Sequence, residues 1–264
     1  KAVQGVQRGY YIQGFEPLIF NPGSPEYQVA LDSYTLIPGM IKFCKTEWTR
    51  RQVQQYCGCD VSVIGISLET NLFRPRPRQL PPGPVRIAAM VRPETPYREP
   101  EKTMQLLQRA KQEFGAGVEV LIFGAAGDDP NFLKLPHRFD FHLAGILRPE
   151  EVYQLLNEAD IFVDYSSHQA MGLAALEAMS CGCAVILPTN GGAVEFASPD
   201  NSLPVDMSAF ENVWAALQTL LNDPARREAI GQRALQDVSQ YTPEKAAYHI
   251  LERLFEDEPT AEGG

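Results

Sequence analysis

From residue 85 onward, short apolar runs alternate with longer stretches in which apolar residues recur every three or four positions. The first pattern suits strands buried on both faces, and the second suits amphipathic helices. Strands are predicted at residues 85–91, 118–123, 139–144, 160–164 and 184–187, and helices at 99–114, 149–158 and 172–179, with a short helix from Gly192. Strands separated by helical segments imply βαβ crossovers, hence a parallel sheet covered on both faces. Helices at 209–222, 224–239 and 243–256 follow, each opening near a proline or a small polar residue. Upstream the pattern is sparser: strands at 10–14 and 39–44, and a helix at 46–56 capped by Thr46 and ended near Gly58.

The density of proline divides the chain. Five prolines fall between Pro75 and Pro84, too many for a helix or a sheet interior, so the segment reads as an extended linker. The expected organisation is an α/β domain at 1–72, a Pro-rich linker at 73–84, a doubly wound, Rossmann-type parallel-sheet domain at 85–240, and a C-terminal helix and tail at 241–264 that packs back on the first domain. The chain opens at Lys1 without an initiator Met, and its first domain has few strands for such a layer. Only the latter part of that domain is therefore expected here.

Charge and cysteine narrow the partners. With 23 Lys and Arg against 33 Asp and Glu, the net charge is −10, which gives no global field for nucleic acid. No apolar run reaches the roughly 20 residues of a membrane span, and no signal peptide opens the chain, so a cytoplasmic protein without a transmembrane segment is expected. The five cysteines, at 44, 57, 59, 181 and 183, are an odd number. Their Cys-Gly-Cys pairs are one residue shorter than a zinc pair, so they are expected as free thiols, with no metal site.

Ligands of open α/β sheets bind beyond the carboxyl ends of the strands, and three strand-to-helix junctions carry chemistry there. The first is Val91-Arg92-Pro93, with Arg98 and Lys102 around the next helix start; cations so placed can clamp a diphosphate, although this stretch alone favours a solvated loop of Arg–Glu pairs. The second runs from Tyr165 through His168 to Gly182, where Gly172 opens a helix whose N–H groups can meet a phosphate. Glu177 interrupts that apolar helix, where a carboxylate needs partners; it suits either a ribose diol or a structural Arg. Gln169, Leu173 and Glu177 recur at i, i+4 and i+8. The third junction, Thr189-Asn190-Gly191-Gly192, permits a tight turn and close ligand approach.

Together these junctions resemble the retaining, nucleotide-sugar-dependent glycosyltransferases of family 4, which have the two-domain GT-B fold. The family's E-G-F-G-L-P-x-L-E-A-M-A-x-G, then a strand and G-G-x-x-E, is matched by Q-A-M-G-L-A-A-L-E-A-M-S-C-G from Gln169 to Gly182, then C-A-V-I-L-P-T-N-G-G-A-V-E. Leu68 to Pro75 resembles the interdomain segment, Gly145 to Glu151 the nucleobase-side loop, and Ala89 to Glu94 the strand-then-Arg. The resemblance implies an α/β, GT-B-like chain: a Rossmann-type donor domain plus a partial N-terminal domain. It implies a hexosyltransferase-type enzyme that takes a nucleoside-diphosphate sugar as donor substrate, uses no cofactor or essential metal, and serves a carbohydrate or glycolipid acceptor in polysaccharide synthesis, with peripheral membrane contact where that acceptor is a lipid.

Carried over by position, Glu177 binds the donor ribose, the backbone at Gly172 and Leu173 meets the diphosphate with Gly192 in support, and Ile146 and Leu147 face the base. Arg92 neutralises the leaving group together with either Lys102 or Arg98, two alignments that both remain open. Gln169 stands where the family has its first Glu, keeping the hydrogen bonding and losing the charge, and is carried as a donor-sugar contact. Glu16 is an acceptor-side candidate. A glycoside hydrolase, which needs paired carboxylates, is disfavoured because only Glu177 with Gln169 is expected in the cleft. The rival readings are a non-catalytic nucleotide-sugar-binding module and a nucleotide-sugar isomerase on a similar fold.

Overall fold

The computed structural model describes residues 7–77 and 83–255. The first six residues, part of the Pro-rich segment (78–82), the end of the last predicted helix at Glu256 and the acidic tail beyond it lie outside the described residues.

The chain runs β1 (Gly9–Ile12), α1 (Pro25–Ser33), β2 (Ile41–Cys44), α2 (Glu47–Cys57) and β3 (Ser62–Val63), then β4 (Val85–Met90), α3 (Pro100–Phe114), β5 (Val118–Phe123), β6 (His142–Leu143) and α4 (Pro149–Glu158). It continues through β7 (Ile161–Val163), α5 (Leu173–Ser180), β8 (Ala184–Pro188), β9 (Leu203–Val205), α6 (Phe210–Asn222), α7 (Pro224–Val238) and α8 (Pro243–Phe255). The chain forms two compact units, one of residues 1–67 with 241–264 and the other of residues 68–240.

In the first unit β1, β2 and β3 form a parallel sheet in that order, with Tyr11 opposite Phe43 and Cys44 opposite Val63. Thr46 caps α2 by accepting from the Thr49 N–H at 3.3 Å, and Gly58 ends the helix in the left-handed conformation. Ile12, Phe15, Tyr34 and Val53 make the core, where the Tyr34 hydroxyl donates to the Gly14 carbonyl and accepts from the Glu16 N–H. From the end of the chain, α8 packs on β2, and Arg253 donates to Ser62 Oγ at 2.7 Å.

The second unit holds a six-stranded, all-parallel sheet in the order β6-β5-β4-β7-β8-β9. Numbered from β4 as the first strand this is 3-2-1-4-5-6, the doubly wound order. Buried Ile87, Ala89, Val120, Ile122, Ile161, Val163 and Ile186 alternate along their strands and share a core with Met104, Leu107, Trp214 and Leu217 of α3 and α6. Phe123 and Phe162, whose rings lie 6.4 Å apart, occupy the intervening positions. Helix α5 is almost wholly apolar because it is buried, packed against α4, α7 and β8.

Four expectations change. Residues 68–77 group with the second unit, whereas a first domain through residue 72 and an extended Pro-rich linker from 73 were expected: Phe73 is buried, its carbonyl accepts from Ser180 Oγ at 2.7 Å, and Asn157 bonds the Arg74 carbonyl and the Arg76 N–H. The strand expected at 139–144 shrinks to His142–Leu143, because Phe139 and Phe141 pack on each other and Phe141 on Phe132 instead of extending the ladder. Helix α1 buries no residue and shows no apolar stripe, so the pattern missed it. The edge strand β9 went unpredicted because it is three residues long around Pro204.

Candidate functional site

A cavity of about 600 Å³ lies within the second unit, at the carboxyl ends of β4 and β5 and beside the start of α5. Here the strand order reverses: from β4 the chain builds outward through β5 and β6, then returns across to β7, which leaves a crevice.

Arg92 stands two residues beyond the end of β4, after Val91, and is exposed on the cavity wall. A 3₁₀ turn over Pro96–Arg98 leads to Glu99, the only described non-glycine residue with positive φ (+48°), and this bend brings Arg98 to the same wall. The Arg98 guanidinium lies over the Tyr97 ring, 5.7 Å from its centroid. Lys102 is not on the wall; it pairs with Glu99 at 3.1 Å. Of the two cations left open by the alignment, geometry therefore brings Arg98 to Arg92.

The opposite wall is built after β7. Gln169 is buried at 6% exposure, and its Nε2 donates to Asp164 Oδ2 at 3.1 Å, Asp164 Oδ1 at 3.3 Å and Ser166 Oγ at 2.8 Å. Ser166 also donates to Asp164 from its N–H at 3.1 Å and from its hydroxyl. Ser167 donates to the Tyr97 carbonyl from its N–H at 2.8 Å, and the Tyr97 and His168 rings are 5.0 Å apart, so the two loops that frame the cavity are tied together. Burial lowers the pKa of His168 and so favours its neutral form.

Gly172, at φ +83°, starts α5 in a conformation that side chains other than glycine rarely adopt. It sits behind the wall; Leu173 and Ala174 form the surface, with Glu177 one turn deeper. Glu177 forms no ion pair among the described residues, so no described Arg takes the structural role, and burial pushes its carboxyl up to about 7. Ile146, 76% exposed, and Leu147 supply the apolar end.

Two expectations are corrected. Gly192 does not reach the cavity; it is buried, and its N–H donates to the Gln169 carbonyl at 2.7 Å. The close approach permitted by the Gly-Gly pair is to backbone: at Gly191, with φ +108°, a Cβ would lie 2.2 Å from Gln169 O. Glu177 is also not the only wall carboxylate, since Glu94 and Asp129 join it, each hydrogen-bonded to Asn131. Asp164 was missed because nothing in the sequence marks it; it is the terminal residue of an expected strand. Glu16 opens a 3₁₀ turn in the first unit and is exposed. All five cysteines are free, and no group of three or more His, Cys, Asp or Glu among the described residues is placed to hold a metal ion.

Residues 82–237 match the family described as glycosyl transferases group 1. The chain belongs to that family. It is 28% identical over 253 residues to the O-antigen biosynthesis protein RfbC of Myxococcus xanthus, covering 94% of this chain and 19% of RfbC. It is 27% identical over 240 residues to the D-inositol 3-phosphate glycosyltransferase of Corynebacterium diphtheriae, covering 88% of this chain and 52% of that one. The chain thus spans from about a fifth to half of the length of these two relatives. Among solved structures, Anabaena HepE in complex with UDP and glucose superimposes with a TM-score of 0.77 at 18% identity, over 94% of this chain and 71% of that one. The chain has the α/β GT-B fold of these glycosyltransferases. No helix among the described residues is long and apolar enough to cross a membrane.

Proposed function

We propose that the chain carries the donor site of a retaining, family 4, hexosyltransferase-type enzyme that moves a sugar from a nucleoside diphosphate to a polysaccharide or glycolipid-type acceptor. One observation carries the reading: two arginines, a half-buried carboxylate and an exposed apolar edge surround a single cavity at the switch point, of a volume that suits a nucleotide. In this reading Ile146 and Leu147 meet the base, Glu177 accepts from the ribose hydroxyls, and the diphosphate lies between Arg92, Arg98 and the N-terminal N–H groups of α5. Gln169 then faces the donor sugar.

As the glycosidic bond to the diphosphate breaks, negative charge grows on the leaving oxygen. Arg92, Arg98 and the dipole of α5 are oriented toward that charge before it forms, so they stabilise the transition state more than the ground state. The scheme invokes no metal and no cofactor. The name of the Myxococcus relative supports a polysaccharide acceptor, and that of the Corynebacterium relative supports transfer to a hydroxyl of a phosphorylated polyol. The free cysteines support a reducing, cytoplasmic setting.

The test is transfer by the natural full-length protein, with sugar nucleotides as donors and a lipid-linked saccharide fraction as acceptor, the anomeric configuration of the product being read by NMR. Transfer with retention is expected. Inversion would refute the mechanism, and binding without consumption of donor would favour a non-catalytic binding module.

A further inference from the structure

We infer that Asp164 is a positioning residue for donor-sugar recognition, acting through Gln169. The inference rests on the reading of the cavity as a donor site. A carboxamide has two ends of similar shape and opposite character, a double donor and an acceptor. Gln169 lines the cavity, so which end meets the ligand decides which sugar groups it recognises. Asp164 fixes that choice. Its carboxylate, 7% exposed at the end of the β7 segment, accepts from Gln169 Nε2 with both oxygens, at 3.1 and 3.3 Å, while Ser166 Oγ accepts from the same nitrogen at 2.8 Å. The donor end is thereby occupied, and Oε1, which accepts from no described residue, is the end left for the cavity.

Two further features hold the arrangement. Ser166 donates to Asp164 from both N–H and hydroxyl, so the carboxylate cannot turn away without breaking both bonds. The backbone of Gln169 is clamped from the other side by Gly191, which it meets in a parallel bridge, and by the Gly192 N–H. The subsite therefore offers a neutral acceptor to a sugar hydroxyl, with a fixed negative charge one hydrogen bond behind it. That charge polarises the amide, strengthening the dipole of the group in front of it.

The test uses the chain with Asp164→Asn, Gln169→Glu and the double variant Asp164→Asn/Gln169→Glu. Thermal unfolding at pH 8 reads the coupling without ligand: Gln169→Glu alone sets two carboxylates against each other and lowers the melting temperature, and adding Asp164→Asn recovers it, because the new amide can donate to the new carboxylate. Calorimetry with UDP, GDP, ADP and dTDP and their glucose or mannose conjugates then reads the positioning. Asp164→Asn should lower the affinity ratio of sugar nucleotide to diphosphate about fivefold to tenfold, the range of one hydrogen bond, while affinity for the diphosphate alone stays within about twofold. A merely structural role would lower both affinities together, and that result, or a ratio indifferent to the substitution, would overturn the inference. So would a melting loss in Gln169→Glu that the second substitution does not recover. If the unsubstituted chain binds no diphosphate, the donor-site reading fails and takes this inference with it; failure of the ratio alone leaves that reading standing.

Discussion

Replacing Glu177 by Gln keeps the shape of the side chain and removes one titration. Its carboxyl sits in the wall of the cavity and forms no ion pair among the described residues, and burial raises its pKa from 4.5 to about 7. The folded protein therefore holds this proton up to about pH 7, whereas the unfolded chain releases it near 4.5. Where the native state binds more protons, stability falls as pH rises, so the stabilising contribution is full below pH 4.5 and is lost progressively by about pH 7. At 1.36 kcal/mol for each pKa unit, the whole loss is about 3 kcal/mol. For a unit of this size that corresponds to roughly 6–12 °C in melting temperature. Glu177→Gln abolishes the loss, so the variant should gain on the parent chain steadily between pH 5 and 7.5 and hold its advantage above. Melting temperatures of the two chains, measured side by side in constant ionic strength across that range, give the difference directly. A difference that stays constant with pH, or that shrinks as pH rises, would refute the assignment of a half-buried carboxyl held protonated by desolvation. The same titration gives the sign for a ligand: a ribose diol that donates to the carboxylate favours the ionised form, so affinity for a sugar nucleotide, which has no terminal phosphate to titrate at about pH 6, should rise through pH 7 in the parent chain more steeply than in Glu177→Gln.

Arg92→Ala and Arg98→Ala should each weaken diphosphate binding about tenfold or more in calorimetry, the range of a charge-assisted hydrogen bond, whereas Lys102→Ala, which breaks only a surface pair with Glu99, should change it less than about threefold. Gly191→Ala places a methyl group 2.2 Å from the Gln169 carbonyl at a φ of +108°; a stability loss of about 3 kcal/mol or more in denaturant titration is expected. Thr46→Ala removes the cap of α2 and should cost about 1 kcal/mol, with no effect on nucleotide affinity.

The strands and helices of the second unit were legible because their causes are local. Strands such as Ala184–Pro188 are buried on both faces and read as continuous apolar runs, and α3 carries its apolar face at helical spacing over four turns. What was not legible depends on distant partners. Phe139 and Phe141 have the composition of a strand, yet packing among Phe132, Phe139 and Phe141 wins over the ladder. The prolines after Phe73 suggested an extended linker, and nothing local showed that Asn157 and Ser180, more than 80 residues away, hold its beginning. At the site, the junctions pointed to Arg92, Gln169 and Glu177. The choice between Arg98 and Lys102 needed the left-handed turn at Glu99, which no propensity favours in a Glu. Asp164 gained its role only when the loop after β7 folded back to place Gln169 on it.

The donor-site claim is tested most directly by calorimetric titration of this chain with UDP, GDP, ADP and dTDP, in parallel with Glu177→Ala and Arg92→Ala. The account predicts micromolar binding of one nucleotide, weakened by both substitutions, with Arg92→Ala reducing the contribution of the phosphates and Glu177→Ala that of the ribose. Binding that neither substitution alters would contradict it, because the nucleotide would then occupy some place other than the cavity at the end of β4.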